Sequence, residues 1–169
     1  MIRKSKLLLA ALLATAGTAG AADLTLNVEI PNLPVAEYHR PYVAVWVEDG
    51  SQTIAANLAL WYQVRGDHTK WLPDLRQWWR RGGRDVKVPV DGLTGATRPA
   101  GQHILKFDAA AEPLSKLKPG KYELVVEAVR EVGGREAVRI PFEWPVKAAQ
   151  RGNAQGKTEL GAVALVLNP

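Results

Sequence analysis

The sequence predicts an all-β chain with one short inserted helix. Three observations carry that expectation. Eight segments have the length and composition of strands, turn residues separate them, and a single stretch has helical spacing.

Asp23–Ile30 alternates apolar and polar residues, as a half-buried strand does. Residues 41–48 form the second segment, which ends at the turn Asp49-Gly50-Ser51. Residues 54–64 are a third, rich in apolar side chains. Segments 85–90, 101–108, 121–131, 137–144 and 160–167 complete the set. No internal repeat or low-complexity linker interrupts them.

Two junctions have turn chemistry. Glu131-Val132-Gly133-Gly134-Arg135 links two strand patterns, and Gly133-Gly134 suits the positive φ of a tight hairpin. Leu117-Lys118-Pro119-Gly120-Lys121-Tyr122 places Pro and Gly just before a strand. That segment resembles the turn into a late strand of immunoglobulin-like and fibronectin-like domains. Short strands with regular turns then predict an immunoglobulin/fibronectin-like β-sandwich.

Residues 71–82 break the pattern. Pro73 suits a first helical turn, Asp74 complements the positive helix start, and Gly82 can terminate. Leu75, Trp78 and Trp79 share one face, and Arg76 and Arg80 another.

The N-terminus reads as a targeting segment. Arg3, Lys4 and Lys6 precede an apolar run, 7–13, and then small residues to Ala22. Ala19-Gly20-Ala21 and Gly20-Ala21-Ala22 both fit a signal-peptidase site. The expected organisation is a cleavable signal peptide, 1–22, and one β-sandwich domain, 23–169. The apolar run is too short to span a bilayer, and no cysteine follows it to carry a lipid. The expectation is a periplasmic protein with no membrane insertion of the mature chain.

Removing the leader changes the charge balance. The chain carries 22 basic and 17 acidic side chains, and three of the basic ones are in the leader. The remaining 19 against 17 leave a net +2. So small a charge argues against a nucleic-acid partner. The absence of cysteine excludes disulfides, thiolate metal sites and thiol nucleophiles. His39, His68 and His103 are too widely spaced for a metal-ligand pattern. Nucleophile-elbow, P-loop and dinucleotide glycine patterns are missing.

The stretch with chemical content is Asp91-Gly92-Leu93-Thr94-Gly95-Ala96-Thr97. It falls between two strand patterns and reads as a loop with close backbone access. Thr94 and Thr97 present hydroxyls, and Gly95 and Ala96 leave room for a large partner. Arg98 and Pro99 follow.

These residues resemble the flavinylation motif Asp-x-x-Ser/Thr-Gly-Ala-Thr of extracytoplasmic FMN-binding proteins. Examples are domains of the sodium-pumping quinone reductase and the Rnf electron-transfer complex. The resemblance implies that a magnesium-dependent flavin transferase would move the FMN half of FAD onto Thr97. Asp91, Thr94, Gly95 and Ala96 would be its recognition residues. The transferase would supply base and metal, so the acceptor hydroxyl need only be exposed.

Most of the mature chain resembles a family of predicted periplasmic proteins of unassigned function. They share the His39–Trp46 stretch, the Trp71–Arg80 segment and the threonine motif. This implies covalent FMN and electron transfer, with a membrane redox protein as electron donor and iron reduction or uptake as the process served. In that setting Trp78 or Trp79 would stack on the flavin ring, and Arg76, Arg80, Arg81 or Arg98 would neutralise a flavin anion or phosphate. The same tryptophans could instead cap the core.

Two other functions fit the same residues. One is a cofactor-free sandwich that binds a protein, peptide or glycan. The other is a flavin-dependent reductase with its own substrate, whereas a redox carrier has none.

Overall fold

The computed structural model describes residues 22–169; the positively charged and apolar leader, with most of the signal-peptide expectation, lies outside them. Two antiparallel-dominated sheets face each other. In chain order the strands are β1 (Asp23–Ile30), β2 (Tyr42–Glu48), β3 (Ile54–Tyr62), β4 (Thr94–Ala96), β5 (Gly101–Asp108), β6 (Gly120–Val129), β7 (Arg135–Trp144), β8 (Gln150–Gln155) and β9 (Ala162–Asn168). The four-stranded sheet runs β5-β1-β9-β8 and the five-stranded sheet β4-β3-β2-β6-β7.

The order is that of an immunoglobulin-like sandwich. β2, β3, β6 and β7 occupy the places of strands C, C′, F and G, and β1 and β5 those of B and E. β9 fills the position beside B that strand A usually takes. A further mark is the corner before β6, where the Tyr122 hydroxyl donates to the Lys118 carbonyl at 2.8 Å. That is the tyrosine corner of such domains, built on the Pro119-Gly120 turn.

The main core lies between the sheets. The alternation in β1 buries Leu24, Leu26, Val28 and Ile30 against Val43, Val45, Val47, Leu124 and Val126. Each such side chain contributes about 1.5–3 kcal/mol of hydrophobic stabilisation. The second sheet is also covered on its outer face. Ala44, Trp46, Leu60, Tyr62 and Val125 pack there against Leu72, Leu75 and Trp78. β2 is therefore buried on both sides, which accounts for its unbroken run Val43-Ala44-Val45-Trp46-Val47.

The roof over that face is the helical insert. It is a 3-10 turn, Thr69–Asp74, followed by α1, Arg76–Arg81. Leu75 and Trp78 are buried as their spacing predicts, and Trp79 packs half-buried at the margin. Gly82 ends the helix at φ 143°, a conformation that favours glycine. Leu75 supplies no side-chain cap. The buried Glu127 carboxylate of β6 does so instead, accepting the Gln77 and Trp78 amides at 3.1 and 2.9 Å. The Trp78 indole N–H donates to Asn57 at 2.8 Å.

Three strand expectations change. Segment 85–90 pairs with no strand; Gly83–Asp85 is a 3-10 turn and the rest is irregular. Val86 and Val88 pack against the helix-side cluster, and Pro89 has no N–H for a ladder. The motif 91–97 is only partly a loop, because Thr94–Ala96 forms β4, parallel to Leu60–Tyr62. β8 is an unexpected strand of polar sequence, Gln-Arg-Gly-Asn-Ala-Gln. It lies at a sheet edge, and a Cβ on its Gly152 would come within 2.3 Å of Ile140 of the other sheet.

The β6–β7 turn also differs from expectation. The positive φ falls on Val132, at 51°, and not on Gly133 or Gly134. The two glycines answer a need for space. A Cβ on Gly133 would sit 2.5 Å from the Arg130 guanidinium, and one on Gly134 would sit 2.9 Å from a Glu159 oxygen. Those two side chains form a buried ion pair with Nε to Oε2 at 2.9 Å.

Candidate functional site

The sheet order brings several chain segments to one end of the second sheet. β2 starts there, β3 and β6 end there, and β7 starts there, since Tyr42 pairs with Val129 and Val129 with Arg135. Thr97 arrives at the same end. β4 runs parallel to β3, and the Thr97 amide continues the ladder by donating to the Tyr62 carbonyl at 3.2 Å.

A cleft of about 740 Å³ opens at this point. The segment before β2 gives it Tyr38, His39 and Arg40. The helical insert gives Trp71, Asp74 and Arg76. Thr97, Gln63 and the turn from Arg130 to Arg135 close it. Its size suits a small organic ligand or cofactor. Tyr42, at the inner wall, donates to the His68 carbonyl at 3.3 Å, and burial pushes its phenol above the ordinary range.

The two motif hydroxyls have different surroundings. Thr94 Oγ1 accepts the Val90 amide at 3.1 Å and donates to the Val90 carbonyl at 2.9 Å. It closes the turn Val90-Asp91-Gly92-Leu93, in which Gly92 takes φ 74°. Thr97 is half-buried on the cleft wall, and its hydroxyl bonds to no group among the described residues. Asp91 and Ala96 are exposed. Gly95 sits in β4 at the sheet edge, where an added Cβ would be 3.7 Å from Trp61. The motif is thus a partly exposed sheet edge, stapled by Thr94, that delivers Thr97 to a cavity.

The other expected contacts divide. Arg76 lines the cleft. Trp78 is 1% exposed and roofed by Gly83, so its ring is core and offers no free face. Trp79 packs beside it at 6.3 Å and is absent from the cleft lining. Arg98 covers the core-side Trp61 ring at 4.5 Å. Arg81 pairs with the buried Glu48, which also accepts from Arg139 and from the Trp46 indole. Arg80 points to solvent, with Nε donating to the Arg76 carbonyl.

Besides Tyr42 at the inner wall, the exposed aromatic groups of the cleft are Tyr38 and Trp71, which the sequence did not single out. Trp71 precedes the helical face and is 45% exposed, so periodicity gave it no role. Tyr38 lies beside the His39–Trp46 stretch, and that shared stretch was the available signal.

Fold and site define a class: an all-β sandwich roofed on one sheet by a helical insert, with a threonine-bearing cleft at one end. Residues 23–162 match the family described as "Predicted periplasmic protein (DUF2271)", and the chain belongs to that family. The chain is a periplasmic protein of that family. No curated protein and no solved structure matches it. No helix among the described residues is long and apolar enough to cross a membrane. No group of three or more His, Asp or Glu side chains among them is placed to hold a metal.

Proposed function

We propose that this protein is a periplasmic electron carrier whose FMN is phosphoester-linked to Thr97. The observation that carries the reading is the division of labour between the two threonines. Thr94 is consumed in closing its turn, and Thr97 is left with an unengaged hydroxyl on the wall of a cleft of cofactor size. The residues fit the group. Arg40, Arg76 and Arg135 supply cations for a phosphate, and Tyr38 and Trp71 supply aromatic surface for a flat ring.

The linking step would be done by a flavin transferase acting on FAD. The Thr97 oxygen bonds to the FMN phosphorus, the diphosphate P–O bond breaks, AMP leaves, and the hydroxyl proton passes to a base of the transferase. No oxidant or reductant is consumed. The motif's exposed edge, Asp91 and Thr94–Ala96, is the surface the transferase would read. When bound, FMN supplies the redox chemistry; this chain attaches it, orients it and limits its access to water. The donor would be a membrane redox protein, and ferric-iron reduction is the process it would serve.

A cofactor-free binding module is the second reading, favoured by the exposed Trp71 and Tyr38 rings in one cleft. Intact mass of the periplasmic protein, made with and without a co-expressed transferase, separates the two. The carrier gains one FMN less one water, only with the transferase and not as Thr97→Ala. A binding module gains nothing under conditions that flavinylate a known acceptor.

A further inference from the structure

We infer that the flavin ring does not swing free in solvent but docks in the cleft beside Thr97, against Trp71 and Tyr38, with Arg40 and Arg76 facing its anionic end. The inference rests on the proposed attachment at Thr97 and assigns the non-covalent half of that site.

Among the described residues, six large apolar or aromatic side chains are exposed, and three of them, Tyr38, Trp71 and Val132, line this one cleft. Apolar surface gathered in a concavity marks a ligand site more than scattered exposure does. Each ring already has a cation on it. Lys70 Nζ lies 5.4 Å from the Trp71 centroid, and the Arg130 guanidinium 5.9 Å from that of Tyr38. A cation on one face leaves the other face or edge for a planar ligand.

The charge in the cleft is unbalanced. Arg40 and Arg76 pair with no carboxylate among the described residues, although Asp74 and Glu131 also line the cavity. The Arg130 Nη1 is buried without a partner, although the same guanidinium is held by Glu159. An aromatic ligand bearing an anionic phosphate complements these features better than a neutral sugar or an acyl chain would. Trp71, one helical segment earlier and on the exposed side, thereby takes the stacking role that the sequence offered to Trp78 or Trp79.

Flavin emission is the readout, since an electron-rich indole in van der Waals contact quenches it. The flavinylated protein, its Trp71→Leu variant and its Tyr38→Leu variant would be compared at equal flavin content, with intact mass confirming attachment in each. The expected result is emission well below that of free FMN in the wild type, rising several-fold in Trp71→Leu with the FMN mass addition and the melting temperature unchanged. Equal, free-FMN-like emission in all three overturns the docking while leaving the attachment intact.

If no mass gain occurs, the attachment reading fails, and free FMN titrated into the unmodified protein decides the cleft separately. Saturable quenching, weakened about tenfold by Trp71→Leu and weaker for riboflavin than for FMN, supports the site. No quenching by millimolar FMN overturns it.

Discussion

The Thr94 hydroxyl clasps Val90 from both sides, accepting its amide at 3.1 Å and donating to its carbonyl at 2.9 Å. The turn before β4 is held by this side chain together with the Leu93 and Thr94 amides, which donate to the same Val90 carbonyl at 3.2 and 3.0 Å. Thr94→Val leaves the Val90 amide without its partner, while the Val90 carbonyl keeps its two backbone donors, and should cost about 1 kcal/mol, read as a lower urea midpoint. Thr97→Val breaks no such bond and should change stability by under about 0.5 kcal/mol. Equal destabilisation by the two would remove the distinction between staple and acceptor.

The pair Arg130–Glu159 is buried, at 7% and 4% exposure, directly under the turn that borders the cleft. Glu159 also accepts the Gly134 amide at 2.7 Å. Glu159→Gln leaves a guanidinium charge buried and should destabilise by about 3–5 kcal/mol. Replacing both with apolar residues of similar volume should recover much of that loss. Denaturation of the two variants in parallel checks it.

Gly83 lies against the face of Trp78, where an added Cβ would approach the ring to 2.4 Å. Gly83→Ala should therefore cost about 1–3 kcal/mol by forcing the indole or the turn to shift. Its effect should shrink in a Trp78→Leu background, because the clash partner is then gone. A double-mutant cycle measures that coupling.

Two carboxylates should give opposite pH dependences. Burial pushes Glu127 above its ordinary value of 4.5, although the Trp78 and Gln77 amides, Arg135 and Arg139 favour its charge. The folded state then holds that proton more tightly than the unfolded chain does. Stability from this group is present below pH 4.5 and is lost as pH rises through the raised value. For Glu136 burial also pushes upward, but the amides of Thr158, Lys157 and Leu160 outweigh it and hold the carboxyl below 4.5. Its contribution is present above that value and is lost as pH falls through the lowered one. Urea midpoints across pH 3–8 should show Glu127→Gln removing a decline on the rising side and Glu136→Gln removing one on the acid side.

The sandwich was legible where burial leaves a pattern. Asp23–Ile30 alternates because one face meets the core, and its strand limits match the pattern. β8 was illegible because an edge strand of Gln, Arg, Gly, Asn and Ala can join a ladder through its backbone with little apolar content. Segment 85–90 misled because Val86, Val88 and Val90 alternate as in a strand, yet two of them face a helix. At the candidate site, the motif pointed to Thr97, which lines the cleft, and helical spacing disclosed the buried face of α1. The cleft itself was not legible. Its walls come from residues 38–40, 42, 63, 71, 74, 76, 97 and 129–135, and only the sheet order brings those ends together.

The proposed flavin acceptor is Thr97, and not Thr94. Peptide fragmentation of protein co-expressed with a flavin transferase tests it most directly, on the peptide spanning residues 88–98. The expected result is the FMN addition on fragments containing Thr97 and none on those ending at Ala96. An addition on Thr94, or an unmodified peptide while a known acceptor in the same cells is flavinylated, would contradict it.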